Sequence, residues 1–327
     1  MSFQLKLPKF LSPIKEEVIE RLPPKPIIIK PVEPPQIVAP VIVQKRDPVL
    51  TISKYFKVDL KAFEKSGERD AILASSGMGK SHLTRVIMEE TIESNDLLIV
   101  IDPEGEYYTL SNRYPMLVIG GDSATVPLEE SKIASYIDTI LNEGISAVFD
   151  FSDLTLDTEQ QTMHSVVMEA LFVAEMKLKE KVRVIIDEAS IFAPQNQPSK
   201  EAKSSLESSV KIAKRGRKHG IDSLWSTQRP ASLNKNVLSQ CNRFWFGGIT
   251  ADTDYNAIKS FLNEAGISQE EIKGSKSGDF YYYTTGFLQK IRARDTYTKH
   301  IGSTPVRKEN QKRADKRDIQ RILKGLK

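Results

Sequence analysis

"AILASSGMGKSHL", residues 71–83, begins as an apolar strand, breaks into serine and glycine, sets Gly79, Lys80 and Ser81 in a row, and resumes with helix-forming residues. A strand that turns through glycines into a helix start is a phosphate cradle. Backbone N–H groups can turn inward there, and the helix dipole favours negative charge. The run matches G-x-x-x-x-G-K-[ST] except at its first position, where Ala74 stands. Alanine can end a strand at negative φ without strain, so the loop survives the departure. On this reading Ser75, Ser76, Gly77, Met78, Gly79 and His82 belong to the nucleotide site, Lys80 reaches the β- and γ-phosphates, and the Ser81 hydroxyl is a ligand for Mg²⁺. ATP and Mg²⁺ are the expected cofactors.

Hydrolysis needs a further carboxylate for the metal and a group to activate water. "VRVIIDEAS", residues 182–190, supplies both, because a buried β-branched run ends abruptly in Asp187 and Glu188. Ligands of open α/β sheets bind at the carboxyl ends of strands. Asp187 is therefore expected to hold Mg²⁺ through water, and Glu188 to act as general base. "LWSTQRP", residues 224–230, is another strand end, and its Gln228 amide is placed to sense the γ-phosphate or the lytic water. "KIAKRGRKHG", residues 211–220, carries six cationic or potentially cationic side chains. Cations suit a helix C-terminus, and His219-Gly220 reads as a left-handed cap. Arg217, just after Gly216, also suits a catalytic role, since an arginine delivered across a subunit interface to a neighbour's γ-phosphate can raise turnover about 10³- to 10⁵-fold. Such delivery requires a ring.

The chain of 327 residues has room for one large α/β domain with appendages, or for two modest domains. Its longest apolar runs, such as "LLIVI" at 97–101, fall far short of the about 20 residues that cross a bilayer, and the N-terminus has no signal-peptide pattern, so a cytoplasmic protein is expected. The one cysteine, Cys241, excludes an internal disulfide and a Cys-rich zinc site, and its apolar setting predicts a buried thiol. Net charge is +4, yet residues 305–327 hold nine Lys or Arg against three acids, or +6, which leaves 4 − 6 = −2 for the rest. This basic tail also reads as a helix, with Ile319, Ile322, Leu323 and Leu326 on one face. It suits either docking on a neighbour or contact with nucleic acid.

Three regions are expected. Residues 1–48 read as a proline-rich extended arm with a short helix, Ser12 its N-cap and Pro13 its first helical position, either a disordered arm or one that reaches a neighbouring subunit or docking partner. Residues 49–304 alternate strand and helix patterns, which implies a mostly parallel sheet covered by helices. Residues 305–327 are the basic tail. Strands are expected at 71–74, 97–101, 116–119, 146–151, 182–186, 223–227 and 243–247, helices at 80–94, 128–142, 158–179, 203–218 and 253–263, and a terminal hairpin turning at Thr285-Gly286.

Taken together, "SSGMGKS", "IDPEGEY" (101–107), "VIIDEA", "AKRGRKHGI" and "STQRP", in this order and spacing, resemble the HerA/FtsK superfamily of P-loop motor ATPases, and its HerA branch most of all. The resemblance covers roughly residues 49–294 and implies a RecA-like core that assembles as a hexameric ring and draws double-stranded DNA through its channel with ATP. By the same resemblance Lys80 and Ser81 match the Walker A pair, Asp187 and Glu188 the Walker B pair, Gln228 the sensor amide, and Arg217 the trans-acting arginine. Asp102 matches an acidic position near the nucleotide, and Arg69 a second arginine. HerA proteins usually begin with a small β-barrel that docks a nuclease, for which the proline-rich arm has neither length nor strand pattern. Genome packaging or plasmid transfer is therefore expected ahead of end-resection repair. A motor that moves over any sequence holds phosphates without reading bases, and the polar loop "APQNQPSKEAK" (193–203), with Lys200 and Lys203, is a candidate for that contact as well as an ordinary surface loop. An ATP-gated assembly or anchoring ring, or a motor for polypeptide, are the alternatives.

Overall fold

The computed structural model describes residues 49–59 and 67–299. The readings of residues 1–48 and 305–327 lie outside them.

A nine-stranded sheet runs through the middle, in the order β11-β10-β9-β3-β8-β7-β4-β6-β5. Its strands are β3 (Arg69–Leu73), β4 (Leu97–Asp102), β5 (Met116–Ile119), β6 (Ser146–Asp150), β7 (Val182–Ile186), β8 (Ile221–Thr227), β9 (Arg243–Phe246), β10 (Asp279–Thr284) and β11 (Phe287–Arg292). From β9 to β5 every pairing is parallel, and the β10–β11 hairpin adds on antiparallel at one edge. Parallel strands are buried on both faces, and the sequence follows: β6 and β7 are buried at every position. Successive residues point to opposite faces. Ile99 and Ile101 join one apolar core, and Leu98 and Val100 the other.

The first core lies under α2 (Ile133–Glu143), α3 (Asp157–Leu178), α5 (Lys200–Arg215) and α7 (Asp252–Ala265). The second lies under α1 (Lys80–Glu93) and a separate two-stranded hairpin of β1 (Val49–Ser53) and β2 (Phe56–Asp59), which the sequence reading missed. Short helices α4 (Ala189–Phe192), α6 (Lys235–Leu238) and α8 (Gln269–Lys273) fill the connections. Helix α2 starts five residues later than expected, after a 3₁₀ turn at Glu130–Lys132. Cys241 precedes β9; the residue keeps some exposure, but its thiol, in contact with the Asp70 and Val237 carbonyls, is buried, which pushes its pKa up.

Strand order is what gathers the motifs. β3, β8 and β7 are neighbours, so the segments that follow them emerge side by side at the carboxyl end of the sheet although they are far apart in sequence. The opposite end is locked by buried charge. Arg243 donates to Asp70 Oδ1 at 2.8 Å and Glu68 Oε2 at 2.9 Å, Trp245 Nε1 donates to Asp70 at 2.9 Å, and Arg183 pairs with Glu68. Ions this deeply buried persist only when paired.

Candidate nucleotide site

The loop after β3 turns as the phosphate-cradle reading requires. Gly77 has φ 76° and Gly79 φ 89°, both left-handed, and Gly79 caps α1. Ala74 is not among the residues with positive φ, so alanine sits there unstrained. The loop is braced from outside by elements distant in sequence. Gly248 O accepts from Ser75 N at 2.8 Å, Ser75 Oγ accepts from Thr250 N at 3.0 Å, Gly278 N donates to Met78 O at 3.0 Å, and Ser277 Oγ donates to Gly77 O at 2.8 Å.

A cavity of about 440 Å³ opens beside the loop, lined by Ser75, Ser76, Gly77, Gly79, Lys80, Ser81 and His82, with Glu106, Gln228 and Ser277. The expected loop residues are all present except Met78, whose side chain turns away to Gly248. His82 contributes to the wall while its ring Nε2 pairs with Arg294 O at 2.8 Å.

Lys80 is the electrostatic centre. Its Nζ lies 2.5 Å from Asp187 Oδ1 and 3.1 Å from Glu188 Oε1, with only 4 % of its side chain exposed. Burial alone would lower the ammonium pKa; the charges of Asp187 and Glu188 outweigh it and raise the pKa instead. Burial likewise works against the Asp187 carboxylate, and Lys80 more than reverses it, holding Asp187 below the usual range. Glu188 stands at φ 42°, ψ 47°, a left-handed conformation that is rare for a residue with a side chain. Its Oε1 also accepts from Gln228 Nε2 at 2.5 Å. Lysine, both acids and the amide thus form one cluster, of which Lys80 and Gln228 line the wall of the cavity and the acids stand directly behind them.

Asp102 is placed behind that wall. It is fully buried, and its Oδ2 accepts from Tyr107 N at 2.7 Å, so it supports the loop that carries Glu106 and Tyr107. Burial raises its pKa to about 7. Tyr107 closes the circuit by donating its hydroxyl to Asp187 Oδ2 at 2.8 Å. Sequence reading singled out the "IDPEGEY" motif but not Glu106 or Tyr107, although their place just past a buried strand was a usable signal. Ser277 has no such signal.

Arg217 does not join this cluster within its own chain. It lies in the 3₁₀ turn Gly216–His219, ahead of the amino end of β8, whereas the cavity is at the carboxyl end. At about 3.3 Å per residue, the length of β8 separates them by roughly 20 Å. The Gly220 cap is as expected, at φ 82°. Arg69 begins β3 at the same end of the sheet; burial lowers its pKa, and Arg217 adds to the depression. Lys200 sits on the first turn of α5 rather than in the loop, and Lys203, at the expected helix start, lies on the same turn. Ser199 Oγ accepts from Ala202 N at 3.0 Å and so starts the helix early, and α4 separates the remaining loop from Glu188.

The donor set available for a metal is a hydroxyl, Ser81, and a carboxylate, Asp187, beside a polar cavity. Hard oxygen donors of this kind fit Mg²⁺, which typically completes its shell with water and substrate phosphates. Among the described residues no cluster of His, Cys, Asp and Glu forms an all-protein metal cage.

A glycine-rich phosphate loop, its lysine, paired acids and an amide at adjacent strand ends define a P-loop ATP hydrolase with a RecA-like core. The sequence matches the family described as helicase HerA, central domain, over residues 56–324, and the chain belongs to that family. It is 23 % identical over 310 residues to the probable helicase MJ1565 of Methanocaldococcus jannaschii, covering 66 % of this chain and 59 % of that protein's length. Among solved structures, VirB4 of Thermoanaerobacter pseudethanolicus is similar with a TM-score of 0.57 at 14 % identity, covering 76 % of this chain and 96 % of that one. The bacterial conjugative coupling protein TrwBΔN70 has a TM-score of 0.54 at 10 % identity, covering 75 % and 89 %. Among the described residues no helix is long and apolar enough to cross a membrane.

Proposed function

We propose that the chain works as a ring, hexameric by its resemblance, that uses ATP to move double-stranded DNA without regard to sequence, in genome packaging or plasmid transfer ahead of end-resection repair. The ATPase unit is residues 49–304, flanked by the docking arm 1–48 and the basic tail 305–327. One observation carries the ring: the cavity lies at the carboxyl ends of β3, β7 and β8, while Arg69 and Arg217 lie at the amino ends of β3 and β8. A site built this way is completed by the opposite end of a second copy.

In this reading the phosphates enter beside Gly77 and Gly79, and the γ-phosphate competes with Glu188 for Lys80. Freed of that ion pair, the Glu188 carboxylate takes a proton from water while Gln228 holds its orientation. Ser81 and Asp187 are the residues that would hold Mg²⁺, which would neutralise phosphate charge when bound. Arg217 of the neighbouring copy stabilises charge on the transferred group. Exposed Lys200 and Lys203 on the first turn of α5 are the proposed phosphate contacts to DNA.

The test is ATPase rate with and without duplex DNA across a salt series. A DNA motor gives stimulation at low salt that fades as salt rises, because phosphate contacts release counterions. A rate indifferent to duplex at low salt, and raised by an unfolded polypeptide, would replace this reading with a protein motor; a rate indifferent to both would leave an assembly ring.

A further inference from the structure

The wall behind the metal-binding acid is built around one side chain. Tyr107 is wholly buried, and its hydroxyl donates to Asp187 Oδ2 at 2.8 Å while the other oxygen, Oδ1, faces Lys80 at 2.5 Å on the cavity side. The two carboxylate oxygens therefore have different partners, and any tilt of the carboxylate plane away from this orientation weakens both contacts. Tyr107 itself is held from several sides. Its N–H donates to Asp102 Oδ2 at 2.7 Å, and the Arg85 guanidinium lies 5.1 Å above its ring. Arg85, also fully buried, donates to Thr109 Oγ1 at 2.9 Å, to Thr298 Oγ1 at 3.2 Å and to the Glu106 carbonyl, which fixes the loop on either side of Tyr107.

We infer that Tyr107 is a positioning residue for the hydrolytic site: its hydroxyl fixes the plane of the Asp187 carboxylate with one oxygen turned to Lys80, which lines the cavity, and so sets the affinity of the nucleotide complex for Mg²⁺. This rests on the reading of Asp187 as the carboxylate that serves Mg²⁺. Terminal carboxylate torsions are broad, so without the phenol the buried Asp187 carboxylate loses one of its donors, keeping Lys80 and Ser226, and its plane is free to tilt. Groups that orient metal-binding side chains from behind commonly set metal affinity by about 10- to 100-fold.

Tyr107→Phe keeps the ring and its contact with Arg85 and removes only the hydroxyl. The measurement is binding of a fluorescent, non-hydrolysable ATP analogue to the full chain, first in EDTA and then across a Mg²⁺ titration. The expected result is an affinity in EDTA within about twofold of wild type, and a Mg²⁺ requirement for half-maximal tightening raised on the order of tenfold. A packing role alone would not separate these two readings. A Mg²⁺ titration that superimposes on wild type overturns the inference. A wild-type chain whose nucleotide affinity ignores Mg²⁺ overturns the assignment of Asp187 beneath it, a different result from a Tyr107→Phe chain that matches a Mg²⁺-responsive wild type. Should Tyr107→Phe not fold, 3-fluorotyrosine placed at position 107 keeps the hydroxyl and reports directly. Its fluorine resonance is expected to shift when Mg²⁺ joins the nucleotide complex, and no shift overturns the inference.

Discussion

Nε2 of Gln228 lies 2.5 Å from Oε1 of Glu188, so the residues that follow β8 and β7 share a hydrogen bond across the cavity wall. The same oxygen is 3.1 Å from Lys80, and the Glu188 backbone is held at φ 42°. A strained conformation of this kind persists only where its surroundings over-determine it, and such sites cluster where function needs a fixed side chain. Glu188→Gln keeps the size and loses the carboxylate proposed as the base. Phosphate release is expected to fall about 10²- to 10⁴-fold while nucleotide affinity changes little. Turnover at the wild-type rate would remove Glu188 from the role of base.

Arg217 and Lys80 belong to opposite ends of the sheet, which makes a mixing experiment decisive. Arg217→Ala and Lys80→Ala chains are each expected to lose ATPase activity, by about 10³-fold or more for the arginine. Combined before assembly, they should recover part of it, because some interfaces then pair an intact Lys80 with an intact Arg217. If the mixture stays as inactive as its components, Arg217 does not act across an interface.

Much of this site was legible because its parts stand at abrupt changes of pattern. A buried β-branched strand that ends in Asp187-Glu188, or in Thr227-Gln228, announces a polar site at a strand end. Lys80 was equally plain. What was missed depends on long-range contact: Ser277 braces Gly77 across 200 positions, and Tyr107 meets Asp187 across 80. The β1–β2 hairpin escaped because Lys54-Tyr55 joins its strands without the Asn-Gly or Asp-Gly signal of a tight turn. At Lys200 a visible signal was underweighted, since Ser199 is a good N-cap and the helix begins there.

Glu89, one helical turn beyond Arg85 on α1, is fully buried and ties down residues 294–298. Its Oε1 accepts from Thr298 N at 2.8 Å and Thr298 Oγ1 at 2.7 Å, and its Oε2 from Tyr297 N and Arg294 Nη1, both at 2.9 Å. Arg294 keeps its pair with Glu90, 2.6 Å from Nη2, while Glu89→Ala strands the Tyr297 and Thr298 donors. It is expected to cost about 3 kcal/mol in equilibrium unfolding and to speed tryptic cleavage after Arg294. A loss below about 0.5 kcal/mol, the range of ordinary surface substitutions, would show that the segment is held by other contacts.

His164 gives the chain a measurable acid sensitivity. The ring is wholly buried on α3 and stacks on Phe192, which ends α4 just beyond Glu188, with centroids 4.7 Å apart. Ser205 Oγ donates to Phe192 O at 2.7 Å, which leaves it free to accept from His164 Nδ1 at 2.9 Å. Nε2 is buried without a partner among the described residues. Burial lowers the imidazole pKa to about 3 from an ordinary 6.5. The unfolded chain therefore takes up a proton below pH 6.5 that the folded chain refuses. The stabilisation is complete above that pH and is lost as pH falls toward about 3, at up to about 1.4 kcal/mol per pH unit. Other groups titrate in the same window, so the comparison is with His164→Gln. Between about pH 7.5 and pH 5.5 the wild type is expected to lose about 1.4 kcal/mol more than the variant in urea unfolding. Equal losses would mean that the folded protein protonates His164 in place, and that the contact with Phe192 does not exclude the charge.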